Sequence, residues 1–378
     1  MIKVASPNVN DDDCTAVTRA LLSGQLASGP LCREFERRFA DYVGVQHAVT
    51  VNSGTAALHA ALDAAGIQPG DEVIVPAMTF FSTVTSVLHQ AGVPVFADIS
   101  LDNFCIDPSD LARALTPRTR AIIPVHYFGH SAEMDAVVGF AQEHGLAVIE
   151  DCAQAHGTRY KGQAVGGIGD FGAFSFFATK HMTTGEGGIV TTNDEAHAER
   201  MRCFRSHGLI GRDDHVILGY NYRMSEPAAA LGISQLERLE ALNGARVRVS
   251  QRVIEGIRDV PWLSVPSIPD HVHHTFFWCH VLIDEDRLGM STRDLIGVLR
   301  ERGVEVRNRY WEPLYKQPLL TERLPPLLKR VAGEHLPAYG ELSLPNAERA
   351  VGRMIGLPNR PDMTDDEINQ LVRILHSL

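Results

Sequence analysis

Between residues 45 and 155 the spacing of apolar and polar positions changes repeatedly. Short, nearly unbroken apolar runs (QHAVTVNSG, DEVIVP, VPVFADI, RAIIPVHYFG and LAVIED) alternate with stretches such as TAALHAALDAAG and SAEMDAVVGFAQEHG, where apolar residues return every three or four positions. The runs predict buried strands, and the stretches between them predict helices. Alternation of this kind predicts an α/β layer with a mostly parallel central sheet flanked by helices. Sheets of that type place ligands at the carboxyl ends of their strands.

The segment EPAAALGISQLERLEALNGARVRVSQRVIEGI keeps a helical period throughout and predicts one long amphipathic helix, or two joined ones, bridging two lobes. Beyond it come proline-rich turns (DVPWLSVPSIPD), a strand (TFFWCHVLI) and a helix (TRDLIGVLRERG). A boundary near residue 245 then separates a large domain, 1–245, from a smaller C-terminal α+β domain, 246–378. A chain of 378 residues has enough apolar sequence for both.

Charge narrows the partners. With 46 acidic against 35 basic residues the formal net charge is -11, which argues against a nucleic-acid backbone binder but leaves room for a small anion held by a few arginines. No run approaches the ~20 apolar residues of a membrane span, and MIKVASPNVNDDDC has no apolar core of signal-peptide length. The six cysteines lack CxxC or Cys/His ligand spacing, so they read as reduced thiols with no metal site, and a cytoplasmic location is expected. Only five of the 35 basic residues are lysines: Lys3, Lys161, Lys180, Lys316 and Lys329. Lysine chemistry, if present, has few places to reside.

Three motifs carry candidate chemistry. In VNSGTAALHAAL a strand ends at Ser53-Gly54-Thr55 and a helix begins; its N-terminus offers unbonded amides to an anion, Gly54 allows close approach, and Ser53 and Thr55 add hydroxyls. Ser53 or Thr55 equally reads as a simple helix cap. In LAVIEDCAQAHG a buried strand runs into Glu150-Asp151, leaving at least one carboxylate near the ligand edge. A buried carboxylate needs a cationic or donor partner, and the ring nitrogen of pyridoxal phosphate is one such partner; a strand-end cap is the other reading. In GDFGAFSFFATKHMTTGEGGIVTTN the formal charges between Phe171 and Val190, His181 aside, are Lys180 and Glu186. A lysine among Phe174, Phe176, Phe177, hydroxyls and glycines is suited to desolvation, which frees its amine as nucleophile and base. Ser175 stands ready to donate to a phosphate.

NSGTAALHAAL, PAMTFFSTVTSV, EDCAQAHG, FSFFATKHMTTGEGG and GYNYRMSEPAAALGISQLERL together resemble, in order, the motifs of the DegT/DnrJ/StrS sugar aminotransferases, which are fold-type I pyridoxal-phosphate enzymes. The resemblance runs from about residue 3 to the C-terminal helix. It implies that Lys180 holds pyridoxal phosphate as a Schiff base, that Asp151 pairs the ring nitrogen, and that Gln154 approaches the phenolic oxygen. It further implies that Phe80 stacks on the ring (with Phe81 in ordinary core) and that Gly54, Thr55 and Ser175 contact the phosphate. Asn221 matches a residue that reaches the phosphate of a neighbouring subunit, so the resemblance implies a homodimer with shared active sites. Family members with histidine at the lysine position are dehydratases; here Lys180 keeps that position and His181 follows it. In EVRNRYWEPLYKQP, where many relatives read Pro-Leu-His near the substrate, Tyr315 replaces the histidine. Arg307 and Tyr315 of this segment are the expected substrate contacts.

The implied reaction moves an amino group from L-glutamate to a nucleotide-linked keto sugar, with pyridoxamine phosphate as the cofactor form between the two halves. A cyclitol ketone is the alternative acceptor. A non-catalytic cofactor-binding regulator is the alternative of another class, and an intact set of Lys180, Asp151 and Gln154 argues against it.

Overall fold

The computed structural model describes residues 1–308 and 310–378. Seven strands make the central sheet: β1 (His47–Val51), β2 (Glu72–Pro76), β3 (Val93–Ala97), β4 (Thr119–Ile122), β5 (Ala147–Asp151), β6 (Phe171–Ser175) and β7 (Gly188–Thr192). Their spatial order is β1-β7-β6-β5-β4-β2-β3. The five apolar runs are β1 to β5. From β6 through β5 and β4 to β2 and β3 every pair is parallel, whereas β7 is antiparallel to both β6 and β1. The reversal has a local cause: the link 176–187 contains no crossover helix, and without one a chain returns antiparallel.

Helices α1 (Asp11–Leu22), α2 (Pro30–Val43), α3 (Gly54–Ala64), α4 (Ser82–His89), α5 (Met134–His144) and α6 (Glu195–Phe204) flank the sheet or link its strands. From Ala56 to Asp63 every residue of α3 is buried, so this helix is wedged rather than laid on a surface. The long amphipathic stretch is a single helix, α7 (Glu226–Ile257), 32 residues with proline in its first turn. Its buried positions, among them Gln235, Leu239, Asn243, Arg246, Val249, Ser250 and Val253, recur every three or four residues, as one buried stripe requires. The first half of α7 packs on α1 and α2, with Gly232 against the Phe35 ring.

From Val249 onward α7 enters a second core with Trp262, Cys279, Val281, Leu295, Leu299, Ile355 and Leu371. There a small antiparallel sheet, β8 (Leu263–Ser264), β9 (Cys279–Ile283) and β10 (Met354–Leu357), packs with α8 (Thr292–Glu301) and α9 (Asp365–His376). The buried cores depart from the expected 1–245 and 246–378 division in three ways: Val272, Phe277 and Trp278 belong to the first core, and two further stretches cross over. Ile2 belongs to the second core, bridged to Val304. Residues from Leu314 to Val351 return to the first: Tyr339 Oη donates to the Pro94 carbonyl at 2.9 Å, and the Ala347 amide donates to Asp98 Oδ1 at 2.8 Å. The returning stretch is built of short turns separated by prolines, which carry no long period to betray which lobe they cover. Among the described residues no helix is long and apolar enough to cross a membrane.

Candidate active site

The carboxyl ends of β1, β2, β5 and β6 converge on one cavity of about 250 Å³. Ser53, Gly54 and Thr55 line it just after β1, Thr79 and Phe80 just after β2, Asp151 and Gln154 at the end of β5, and Ser175, Phe177 and Lys180 from the end of β6 onward. The alternating elements therefore deliver side chains distant in sequence to a single edge, as parallel sheets do.

The anion and cap readings of Ser53-Gly54-Thr55 are compatible. Ser53 caps α3, its Oγ accepting from the Ala56 amide at 3.1 Å. The amides of Gly54 and Thr55 lie in the first turn, where the helix itself supplies no acceptor. Gly54 is there for proximity: a Cβ at this position would lie 2.7 Å from Ser175 Cβ and 3.1 Å from its Oγ. The first turn of α3 thus touches the end of β6, with the Ser175 hydroxyl beside it. A hydroxyl and a helix N-terminus meeting in this way suit a phosphate.

Adjacent residues of a strand point to opposite faces, and this separates the roles of Glu150 and Asp151. Glu150 is fully buried and accepts from His126 Nε2 at 2.9 Å and from the amides of Gly166, Ile168 and Gly169, each at 2.8 Å. Because the Ala132 amide donates to His126 Nδ1, the histidine proton sits on Nε2 and points at Glu150. Cys152 lies close by, its thiol pushed well up by burial. His126, Glu150 and Cys152 have the residue types of a metal site, but the imidazole and carboxylate are already engaged with N–H groups, which makes them a structural lock.

Asp151 is 4% exposed and has fewer partners. Thr83 Oγ1 donates to its Oδ2 at 2.8 Å and the Ala153 amide to its Oδ1 at 3.1 Å. Burial pushes its carboxyl above the usual range, against both hydrogen bonds and against the charge of Lys180. A buried carboxylate at a cavity wall that retains this bias lacks a full cationic partner. The N–H of a protonated pyridine ring fits that need, and the α3 N-terminus fits the phosphate of the same molecule.

Lys180 lies in the link between β6 and β7, its amide bonded to the Phe177 carbonyl at 2.9 Å. The aromatic residues expected around its amine are placed otherwise. Phe174 and Phe176 turn into a core with Phe35 and Phe39, and Phe177 is 45% exposed at the cavity rim. Lys180 Nζ lies 4.7 Å from the ring of Phe277, which packs in the first core. His181 points away from the cavity lining into buried structure, its ring 5.4 Å from that of His156, and burial holds it well below the usual histidine range. Gln154 Oε1 accepts from the Phe128 amide at 3.2 Å. Phe80 is 46% exposed along the cavity wall, while Phe81 packs on the core and donates its amide to Tyr310 Oη at 2.9 Å.

Three expected residues lie elsewhere. Asn221 is exposed and outside the cavity lining, its carbonyl accepting from Asn52 Nδ2 at 3.3 Å. Arg307 is half exposed and paired with Glu305 at 2.8 Å. Tyr315 is fully buried: its Oη donates to Glu348 at 2.9 Å and accepts from the Leu344 amide at 3.1 Å, and its ring meets Phe96. This corrects the substrate-contact expectation for Tyr315. The Leu314 amide is tied to the Ala77 carbonyl, and that bond folds the segment onto the large-lobe core. The cavity also contains residues not anticipated: Thr79, Ser82, Thr179 and an exposed Glu186 at its rim. Glu186 left one signal, as one of two formal charges in its window.

The profile of the DegT/DnrJ/EryC1/StrS aminotransferase family matches residues 7–376. The chain is 36% identical to the spore coat polysaccharide biosynthesis protein SpsC of Bacillus subtilis, across 98% of this chain and 95% of SpsC. Among solved structures, DesV from S. venezuelae in complex with a ketimine intermediate superposes with a TM-score of 0.88 at 34% identity, covering 97% of this chain and 93% of that one. DesI, solved in the presence of its TDP-sugar product, has a TM-score of 0.88 at 33% identity, covering 99% and 92%.

Proposed function

The chain belongs to the DegT/DnrJ/EryC1/StrS aminotransferase family, and from that membership we propose that it transfers an amino group from L-glutamate to a nucleotide-linked keto sugar, using pyridoxal phosphate carried on Lys180. The observation that bears most weight is that Lys180, Asp151 and the N-terminus of α3 line one cavity. When bound, pyridoxal phosphate supplies an electron sink for the substrate's breaking C–H bond and carries the amino group between the two substrates.

The protein's part follows from the residues. Amides of Gly54 and Thr55, with the Ser175 hydroxyl, hold the phosphate. The Asp151 carboxylate keeps the ring nitrogen protonated, and its own burial makes that pairing strong. Phe80 would cover one face of the ring, and Gln154 would face its oxygen substituent. The Lys180 Nζ amine would be the base that takes the α-proton from the donor and, in the second half, the acid that returns a proton to the acceptor. One site serves both halves, so donor and acceptor bind in turn.

The nature of the acceptor is supported by the relatives: DesI is described with a TDP-sugar product and SpsC with polysaccharide biosynthesis. We place the reaction in the cytoplasm, in keeping with six unpaired cysteines. The working unit in this reading is a homodimer in which Asn221 completes the neighbour's site. Asn221 is exposed and outside its own cavity, and the adjacent segment exposes Ile210, Val216 and Leu218, the apolar surface an interface uses. The test is product analysis after incubating the purified protein with L-glutamate and a panel of nucleotide-linked keto sugars. An amino sugar with stoichiometric 2-oxoglutarate is expected; turnover of a cyclitol ketone with none of the sugars would overturn the acceptor assignment.

A further inference from the structure

Beside Asp151 lies a pair of buried threonines, four residues apart in PAMTFFSTVT, with their Oγ1 atoms 3.1 Å from each other. A hydroxyl carries one hydrogen. That of Thr83 is spent on Asp151 Oδ2, at 2.8 Å. The Thr79–Thr83 bond must then be donated by Thr79, whose oxygen keeps only lone pairs for the cavity it lines. On the other side the Ala153 amide holds Oδ1 at 3.1 Å. Each carboxylate oxygen is therefore anchored by one protein donor and retains acceptor capacity toward the cavity.

We propose that Thr83 is a positioning residue for Asp151, with Thr79 fixing the direction in which Thr83 donates; the inference rests on the assignment of Asp151 to the cofactor's ring nitrogen. The Thr83 hydroxyl stops the carboxylate rotating off the cavity and favours its ionised form, the form that accepts from a ring N–H. Among the influences opposing the burial of Asp151, the Thr83 bond ranks first, ahead of the Ala153 amide and the charge of Lys180. The other neighbouring acids do not compete. Glu150 faces the opposite side of β5, and the Cys152 thiol is held neutral by burial.

Two substitutions separate this role from packing. Thr83→Val keeps the side chain's shape and removes the hydroxyl; Thr83→Ser keeps the hydroxyl and removes a methyl. Each is read in the holoenzyme by the pH profile of turnover, by the ¹⁵N NMR shift of ring-labelled pyridoxal phosphate, and by Tm. Thr83→Val is expected to raise the acidic limb by about 1–2 pH units, the effect of losing one hydrogen bond to a charged group. It should also lower kcat about 10-fold or more with little change in KM, and move the ¹⁵N signal toward the unprotonated ring. Thr83→Ser should match wild type in all three within about twofold, a difference well under one hydrogen bond. Thr83→Ala takes the place of the valine variant if the latter does not accumulate folded. An impaired Ser variant beside a normal Val variant would mean packing, and a wild-type ¹⁵N signal and acidic limb in Thr83→Val would equally overturn the positioning role. Asp151→Asn run in parallel keeps the two failures apart. If it retains the wild-type signal and rate, the ring-nitrogen assignment itself falls; if it is impaired while Thr83→Val is not, only the role of Thr83 falls.

Discussion

Replacing Gly54 by alanine tests the phosphate cradle through a steric quantity. The new Cβ would sit 2.7 Å from Ser175 Cβ and 3.3 Å from Ser175 Cα, where ordinary contact begins at 3.4 Å, so the two elements must part by roughly 0.7 Å. Neither yields easily: α3 is buried from Ala56 to Asp63, and β6 is hydrogen-bonded between β5 and β7. Overpacking of this kind costs about 1–3 kcal/mol, offset in part by up to about 1 kcal/mol from the better helix propensity of alanine. The apoprotein should therefore lose about 1–2 kcal/mol, or a few degrees in Tm. Cofactor binding should suffer more. Displacing the first-turn amides from the Ser175 hydroxyl removes at least one charge-assisted bond to the phosphate, worth about 1.5–3 kcal/mol, so Kd for pyridoxal phosphate should rise about 10- to 150-fold.

The assay is absorbance titration of apoprotein with pyridoxal phosphate, alongside Tm. Ser175→Gly removes the atoms that the new methyl strikes. The double variant Gly54→Ala/Ser175→Gly should accordingly be more stable than the sum of the two single changes, a coupling expected only for groups in contact. Wild-type affinity in Gly54→Ala, with additive Tm values, would refute the cradle.

Lys180→Ala should lose both the visible absorbance of the cofactor-loaded protein and turnover; full activity in that variant would remove the basis of the mechanism. Asp151→Asn should lose at least ~100-fold in turnover, the scale on which a key electrostatic stabiliser is missed, while its apoprotein becomes more stable than wild type at neutral pH. The sign follows from the raised carboxyl: the folded apoprotein binds the Asp151 proton more tightly than the unfolded chain does, so this residue costs stability as pH rises from the ordinary aspartate value of 3.8 through the folded value, and asparagine removes that cost. Thermal melts of both apoproteins from pH 4 to 8 check it, and parallel curves would contradict the burial argument. Mixed dimers of Lys180→Ala with Asn221→Asp should recover toward half of wild-type activity per hybrid, since one of the two sites would then hold both native residues; no recovery would confine Asn221 to its own chain.

What could be read from the sequence depended on how local its cause was. Strands β1 to β5 were legible because buried strands show as nearly unbroken apolar runs, whether parallel (β2 to β5) or antiparallel (β1), and Lys180 stood out by composition within a window of twenty residues. Phe277, whose ring lies beside its amine, did not, because it arrives 97 positions later (277 − 180) and no local period links the two. Tyr315 was misjudged for a related reason. Position in a motif said where the backbone passes, but which way the side chain turns was decided by the bond from Leu314 to Ala77, a contact across more than two hundred residues. The pair Glu150-Asp151 lies between these cases. The period of a strand already requires the two to face apart, yet the choice of which one meets the cavity rests with the loop at Gly166–Gly169, whose amides claim Glu150. Thr83 belongs to the same class as Phe277: its hydroxyl has meaning only once α4 is laid beside β5, so the residue that orients the carboxylate had no signature of its own.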